Sequence, residues 1–409
     1  MRNLALLSPA DRQAAFHQQL QEMPAAVFGF DPRIASAWFS DKYFQRTANM
    51  AAAAGRDPIV RMQVFAKKSG VLAGVYEVIR MLETQLAQNP RTKARYCLRD
   101  FQIETLADGD EVNPWEPVMH ILGPYLAFAH LETPYLGVLA RRTLVASNVR
   151  RVVEAAHGKP VILMGARHDD WRIQTADGYA ARVGGIDSMS SDANTSWWGN
   201  GNGGVGTMPH SAIAVFHGDV VAATLAFTRY VDQYEPGVNV VSLVDYRNDC
   251  AGDAVAVAHA MRKTFGPGKL WGVRIDTSEK MIDHCIQGRD SEFPGQTLHG
   301  VCPPLVREVR NALDRAGFPE VKIGVSGGFH PAKITRFESQ NIPVDFYGVG
   351  SSLLGHNNGD VDGLINSFDF TADIVAVDGA PQSKIGRERR ENSRFITVDM
   401  THFAARSLS

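Results

Sequence analysis

The second half of the chain repeats one pattern, in which a short apolar run ends in polar or glycine residues. Residues 161–164 lead into Gly165-Ala166-Arg167, residues 240–244 into Asp245, and Leu270–Ile275 into Asp276. Residues 321–325 then lead into Ser326-Gly327-Gly328, and residues 344–347 into Gly348-Val349-Gly350. Each run is short enough to be a strand buried on both faces. Amphipathic stretches lie between them: 253–263 with Val257 and Met261, 304–316 with Val306, Val309 and Leu313, and Pro331–Ser339 with Ile334 and Phe337. Repeated strand–helix units predict parallel strands with right-handed crossovers, either closed into a barrel or wound on both faces of an open sheet. In a barrel the C-terminal strand ends share one rim, where active sites collect.

The first part of the chain reads differently. Val71, Val75, Val78, Ile79 and Leu82 recur at helical spacing, and Asp108-Gly109-Asp110 is a turn signal before the stretch 112–122, so a mixed α+β domain is predicted. Thr133-Pro134 reads as an N-cap and first helical residue, starting a helix through Leu139 and Leu144 towards Val153. After Phe368 come a short apolar run, 374–377, and a charged stretch, 384–390, expected to pack back on the first domain.

The charge balance removes whole classes of function. Of 409 residues 21% are charged and the net charge is −2, so no overall field draws in nucleic acid or an acidic membrane. An anionic ligand must be held by local groups. Residues 1–7 are too short for a signal core, and no apolar stretch approaches the ~20 residues that span a bilayer, so a cytoplasmic protein is expected. Cys97, Cys250, Cys285 and Cys302 stand apart without metal-ligand spacing, and no structural metal is expected.

Two late glycine turns carry the strongest chemical signal. Ser326-Gly327-Gly328 follows a strand and precedes a helix that Pro331 can start, where glycines let backbone N–H groups close on a phosphate. Gly348-Val349-Gly350-Ser351 offers the same chemistry one strand later, matching the phosphate site that barrels place after their last two strands. Asp245 and Asp276 could accept ribose hydroxyls, hold Mg²⁺ or stabilise positive charge on a sugar carbon; the plainer reading is helix capping or a rim ion pair. Arg167 and Arg274 suit a carboxylate or phosphate, or a structural ion pair. Gly201-Asn202-Gly203-Gly204-Val205-Gly206 satisfies a dinucleotide pattern, yet it follows Trp197-Trp198 rather than an apolar strand and reads as a loop. His210, after Thr207-Met208-Pro209, could bond a phosphate, transfer a proton or accept a phosphoryl group, or merely cap a helix.

Taken together these segments resemble the nicotinate phosphoribosyltransferase family, of the type II phosphoribosyltransferases. The likeness runs in order through Asp41-Lys42-Tyr43, Trp115-Glu116-Pro117, Leu131-Glu132-Thr133, Gly184-Gly185-Ile186-Asp187 and Gly206-Thr207-Met208-Pro209-His210. It continues through Leu243-Val244-Asp245, Val273-Arg274-Ile275-Asp276-Thr277, Val325-Ser326-Gly327-Gly328 and Tyr347-Gly348-Val349-Gly350. The resemblance implies an N-terminal α/β sandwich over 1–145, an irregular β/α barrel over 146–366, and a segment, 367–409, that completes the sandwich. It further implies a homodimer, in which Tyr43 stacks on the pyridine ring from the neighbouring subunit and His210 is phosphorylated by ATP. Ser326, Gly327, Gly328, Gly348, Gly350 and Ser351 would hold a 5′-phosphate, with Asp276 and Asp245 near the ribose. Arg274 and Arg167 would meet the nicotinate carboxylate or pyrophosphate. Three departures stand out: Tyr246 where many relatives carry threonine, Thr277-Ser278-Glu279 in place of Ser-Gly-Asp, and no counterpart of the zinc cysteines of some archaeal relatives.

The expected reaction joins nicotinate to phosphoribosyl pyrophosphate, with Mg²⁺ accompanying that substrate and ATP, in NAD salvage. Nicotinamide and quinolinate are alternative acceptors, an FMN-dependent barrel oxidoreductase is the rival from another class, and a non-catalytic relative is a third reading.

Overall fold

The computed structural model describes residues 7–89, 91–93, 95–198, 204–356 and 364–403. The chain divides into two compact units, one of residues 1–150, 175–185 and 365–409 and one of 151–174 and 186–364. In chain order the first unit contributes β1 (Ile59–Ala66), β2 (Gly70–Val71), β3 (Gln102–Thr105), β4 (Glu111–Val112) and β5 (Pro117–Pro124). The second contributes β6 (Val161–Leu163), β7 (Ser188–Met189), β8 (Val240–Leu243), β9 (Leu270–Ile275), β10 (Lys322–Val325) and β11 (Phe346–Val349). The chain then returns to the first unit with β12 (Phe370–Val377), β13 (Ala380–Pro381) and β14 (Ile396–Thr397).

In the first unit six strands form a sheet in the order β13-β12-β1-β5-β3-β14, antiparallel throughout, so the C-terminal segment supplies strands at both edges. Helix Val75–Thr84 begins where Gly74, at φ +100°, lets the chain turn; Val71 belongs to β2 rather than to that helix. The long helix Glu132–Ala155 starts one residue before Thr133, so Thr133 is no N-cap. Its hydroxyl instead donates to Asp41 Oδ2 at 2.9 Å. Two buried ion pairs lie in this unit, Arg142 with Glu77 at 2.9 Å and Arg12 with Asp110.

The second unit is a curled parallel half-barrel with strand order β7-β6-β11-β10-β9-β8. Pairing of β6 with β11, the unit's first and last strands, is the closure of a barrel; β7 and β8 do not pair, so the ring stays open there. Helices Cys250–Phe265, Pro303–Arg315 and Pro331–Ser339 pack the outside through Val257 and Met261, Val306 and Val309, and Ile334 and Phe337. Helices Gln174–Gly184 and Val220–Tyr234, the first of them part of the other unit, were not anticipated from the sequence. Residues 199–203, which include the start of the glycine-rich loop, lie outside the described residues.

Candidate active site

All strands of the half-barrel run the same way, so their C-terminal ends bring the residues that follow them to one rim. Asp245 follows β8, Asp276 follows β9, Ser326-Gly327-Gly328 follows β10 and Gly350-Ser351 follows β11. Arg274 lies inside β9 near its end, and Arg167 lies in the exposed turn after β6.

Around the β10 turn, Ser326 Oγ donates to Asp276 Oδ1 at 2.7 Å, tying two neighbouring strand ends together. Gly327 at φ +88° and Gly328 at φ +65° both take the left-handed conformation, and both are exposed. A Cβ on Gly328 would meet nothing within 4 Å, whereas one on Gly327 would lie 3.2 Å from Asp276 Oδ1, so the turn is open at Gly328 and close to the carboxylate at Gly327. Lys333 Nζ, from the first turn of the following helix, donates to the Gly327 carbonyl at 3.1 Å. This lysine was absent from the sequence reading. Its signal was available: a cation in the first turn of a helix opposes the usual preference for acidic residues there.

The β11 turn is built by close packing. Gly348 sits within the strand rather than in the loop, where a Cβ would lie 2.6 Å from Met164 Sδ. At Gly350 a Cβ would lie 2.7 Å from His168 Cε1 and 2.9 Å from the Met164 carbonyl. Ser351 opens the short helical turn Ser351–Leu354, and the Ser352 hydroxyl donates to the Phe329 carbonyl at 2.9 Å.

His210 begins helix His210–Val215, with Pro209 as an N-cap that makes no side-chain bond, and its imidazole is half exposed. His210 Nε2 lies 3.0 Å from Asp245 Oδ2, and the Asp245 side chain is buried with Oδ1 unpartnered among the described residues. Burial raises the Asp245 pKa, and the His210 bond works against that rise. The Tyr246 ring lies 6.4 Å from the His210 ring, in the position where the departure from threonine was noted.

Arg274 Nη1 lies 3.7 Å from Met164 Sδ, Nη2 donates to the Met208 carbonyl at 3.4 Å, and Nε is buried without a partner among the described residues. Burial depresses its pKa, offset by Asp276 and Asp245 and reinforced by Arg167. Its fork therefore meets only weak acceptors while facing the two aspartates. These residues form one rim with carboxylates, guanidinium groups and an imidazole around a glycine turn, which can hold an anion beside a centre of developing positive charge.

Tyr43 belongs to the other unit. It stands 60% exposed on helix Lys42–Ala53, its hydroxyl donating to Asp41 Oδ2 at 3.2 Å. Trp38 and Met50 are likewise exposed. Among the described residues no group of three or more His, Cys, Asp or Glu side chains could hold a metal, and no helix is long and apolar enough to cross a membrane.

Comparison with known proteins gives a consistent set of relatives. Residues 41–143 match the family described as the N-terminal domain of quinolinate phosphoribosyl transferase. A nicotinate phosphoribosyltransferase of Mycobacterium tuberculosis is 29% identical over 372 residues, covering 84% of this chain and 73% of the relative. The nicotinate-nucleotide pyrophosphorylase of Pyrococcus furiosus superposes with a TM-score of 0.69 at 29% identity, over 90% of this chain and 84% of that one. The human nicotinic acid phosphoribosyltransferase shares the fold at a TM-score of 0.59 and 18% identity, over 84% of this chain and 76% of that one.

Proposed function

We propose, on the premise that this chain belongs to the nicotinate phosphoribosyltransferase family, that it forms nicotinate mononucleotide and pyrophosphate from nicotinate and phosphoribosyl pyrophosphate in NAD salvage. The observation that carries this reading is the open glycine turn at Gly327 and Gly328 bonded through Ser326 to Asp276. A sugar phosphate held by the turn places its ribose towards a carboxylate.

The ring nitrogen of nicotinate attacks ribose C1 with its lone pair as the C1–O bond to pyrophosphate breaks and its electrons leave with pyrophosphate. No general base is needed, so the protein orients the reactants and stabilises separated charge. Asp276 and Asp245 face the positive charge on the sugar. Arg274 and Arg167 take the nicotinate carboxylate and the pyrophosphate between them. The unpartnered Oδ1 of Asp245 and the Asp276 carboxylate are hard oxygen donors that fit Mg²⁺ accompanying the pyrophosphate, whose negative charge the ion offsets.

ATP coupling belongs to His210. With Nε2–H donated to Asp245, the Nδ1 lone pair is left for a phosphoryl group from ATP, and Asp245 fixes the tautomer. The exposed Trp38, Tyr43 and Met50 support a homodimer in which Tyr43 stacks on the pyridine ring bound by the partner subunit; a cytoplasmic location belongs to the same reading.

The match of residues 41–143 to a quinolinate family favours quinolinate as the second reading. Both are tested by assaying phosphoribosyl pyrophosphate against nicotinate, nicotinamide and quinolinate, each with and without ATP. Turnover of nicotinate stimulated by ATP supports the proposal; turnover of quinolinate with carbon dioxide release replaces it. A bound yellow chromophore would point instead to a flavin enzyme.

A further inference from the structure

Lys333 occupies an unusual place for a cation. It is the third residue of helix Pro331–Ser339, whose free N–H groups already make that end positive, so a charge there is placed against the local field. An anion sharing that space would offset both positive contributions. Lys333 Nζ lies over the Phe329 ring, 4.3 Å from the centroid, and donates to the Gly327 carbonyl at 3.1 Å. With that carbonyl engaged by Lys333, the glycine amides remain for an incoming ligand.

We propose that Lys333 is the positioning residue of the phosphate cradle, fixing the Gly327 carbonyl and supplying the positive charge that lets the turn hold a phosphate dianion. This rests on the phosphate-site reading of the turn. Several groups face the ammonium: Arg336 from its own helix, Cys302 from the start of helix Pro303–Arg315, and Asp276 and Glu279 from the segment after β9. Burial, aided by Arg336, brings the Lys333 pKa down to about 8, with the acidic groups opposing the change. The free cradle then loses its charge just above neutrality, whereas a bound dianion restores it. Phosphate itself is fully dianionic above pH 8, so a loss of affinity from there upward reports a protein group.

Binding of ribose 5-phosphate is measured calorimetrically from pH 7 to 9.5 on the full chain and on Lys333→Met, Lys333→Arg and Gly328→Val, with thermal melts as a folding control. In the unaltered protein the Kd should rise about tenfold between pH 7 and 9, since only the charged lysine supports binding. Lys333→Met should weaken binding at least tenfold at pH 7 and flatten the profile. Lys333→Arg should keep affinity and carry it to pH 9.5, because a guanidinium stays charged. The outcomes separate two failures. If neither the unaltered protein binds nor Gly328→Val changes anything, the phosphate site is wrong. If Gly328→Val abolishes binding while the unaltered protein keeps the same Kd from pH 7 to 9.5, the cradle stands and the role of Lys333 is overturned. The profile of the unaltered protein decides this even where Lys333→Met fails to fold.

Discussion

The Ser326 hydroxyl donates to Asp276 Oδ1 at 2.7 Å, so the turn after β10 and the carboxylate after β9 behave as one assembly. Hydrogen bonds to a charged group contribute about 1.5–3 kcal/mol. Ser326→Ala should lower kcat/KM for phosphoribosyl pyrophosphate roughly tenfold to a hundredfold with little change in the melting temperature. A variant with unaltered kinetics would detach the serine from the site.

His210→Asn should abolish the stimulation of nucleotide synthesis by ATP while slow synthesis without ATP persists. Asp245→Asn should weaken the same stimulation, since the amide no longer fixes the imidazole tautomer. Paired rate measurements with and without ATP test both, and stimulation that survives His210→Asn would rule out a phosphorylated histidine.

Gly324 in β10 packs so closely on Phe346 in β11 that a Cβ there would overlap the ring. Gly324→Ala should therefore destabilise the half-barrel by about 1–3 kcal/mol or more through overpacking, seen as a lowered midpoint in denaturant. An unchanged midpoint would mean that the ring moves aside freely.

Asp108 in the first unit is fully buried, accepting from the Val75 N–H at 2.8 Å and the Tyr179 hydroxyl at 2.8 Å. Burial raises its pKa to about 7, against a model-peptide value of 3.8. The folded chain thus holds a proton that the unfolded chain releases. The stabilisation this brings is fully present below pH 3.8 and is lost as pH rises through about 7. Asp108→Asn has no such titration, so its stability relative to the unaltered chain should improve on the order of 2–3 kcal/mol between pH 5 and 8. Equal differences at both pH values would show that the carboxyl does not titrate in this range.

What the sequence made legible depends on whether a local rule decided the structure. Helix Pro331–Ser339 and strand Leu270–Ile275 match their predicted limits because a proline fixes one start and Asp276 stops the other. The local pattern places Gly348 in a loop, but it lies in β11, where the Met164 side chain fills the space a Cβ would need. That contact is tertiary and leaves no mark on the local pattern. Thr133 looked like a cap for the same reason: its partner, Asp41, is 92 residues away. Helix Val220–Tyr234 went unseen although Asp219 caps it through the Ala222 N–H, because its alanines and threonines blur the apolar stripe. The rim itself was readable, since strand ends and glycine turns are local. The pairing of His210 with Asp245, and the bond from Lys333 to the Gly327 carbonyl, required coordinates.

The antiparallel sheet of the first unit imposes an order on synthesis. β1 lies between β5 and β12, and its neighbouring ion pair joins Lys67 to Asp369, 302 residues further along. While the ribosome makes the half-barrel, one side of β1 keeps its N–H and C=O groups without a strand to meet them. A nascent chain stalled in that interval carries an adhesive edge, and chaperone dependence should be greatest there, easing once β12 emerges and docks.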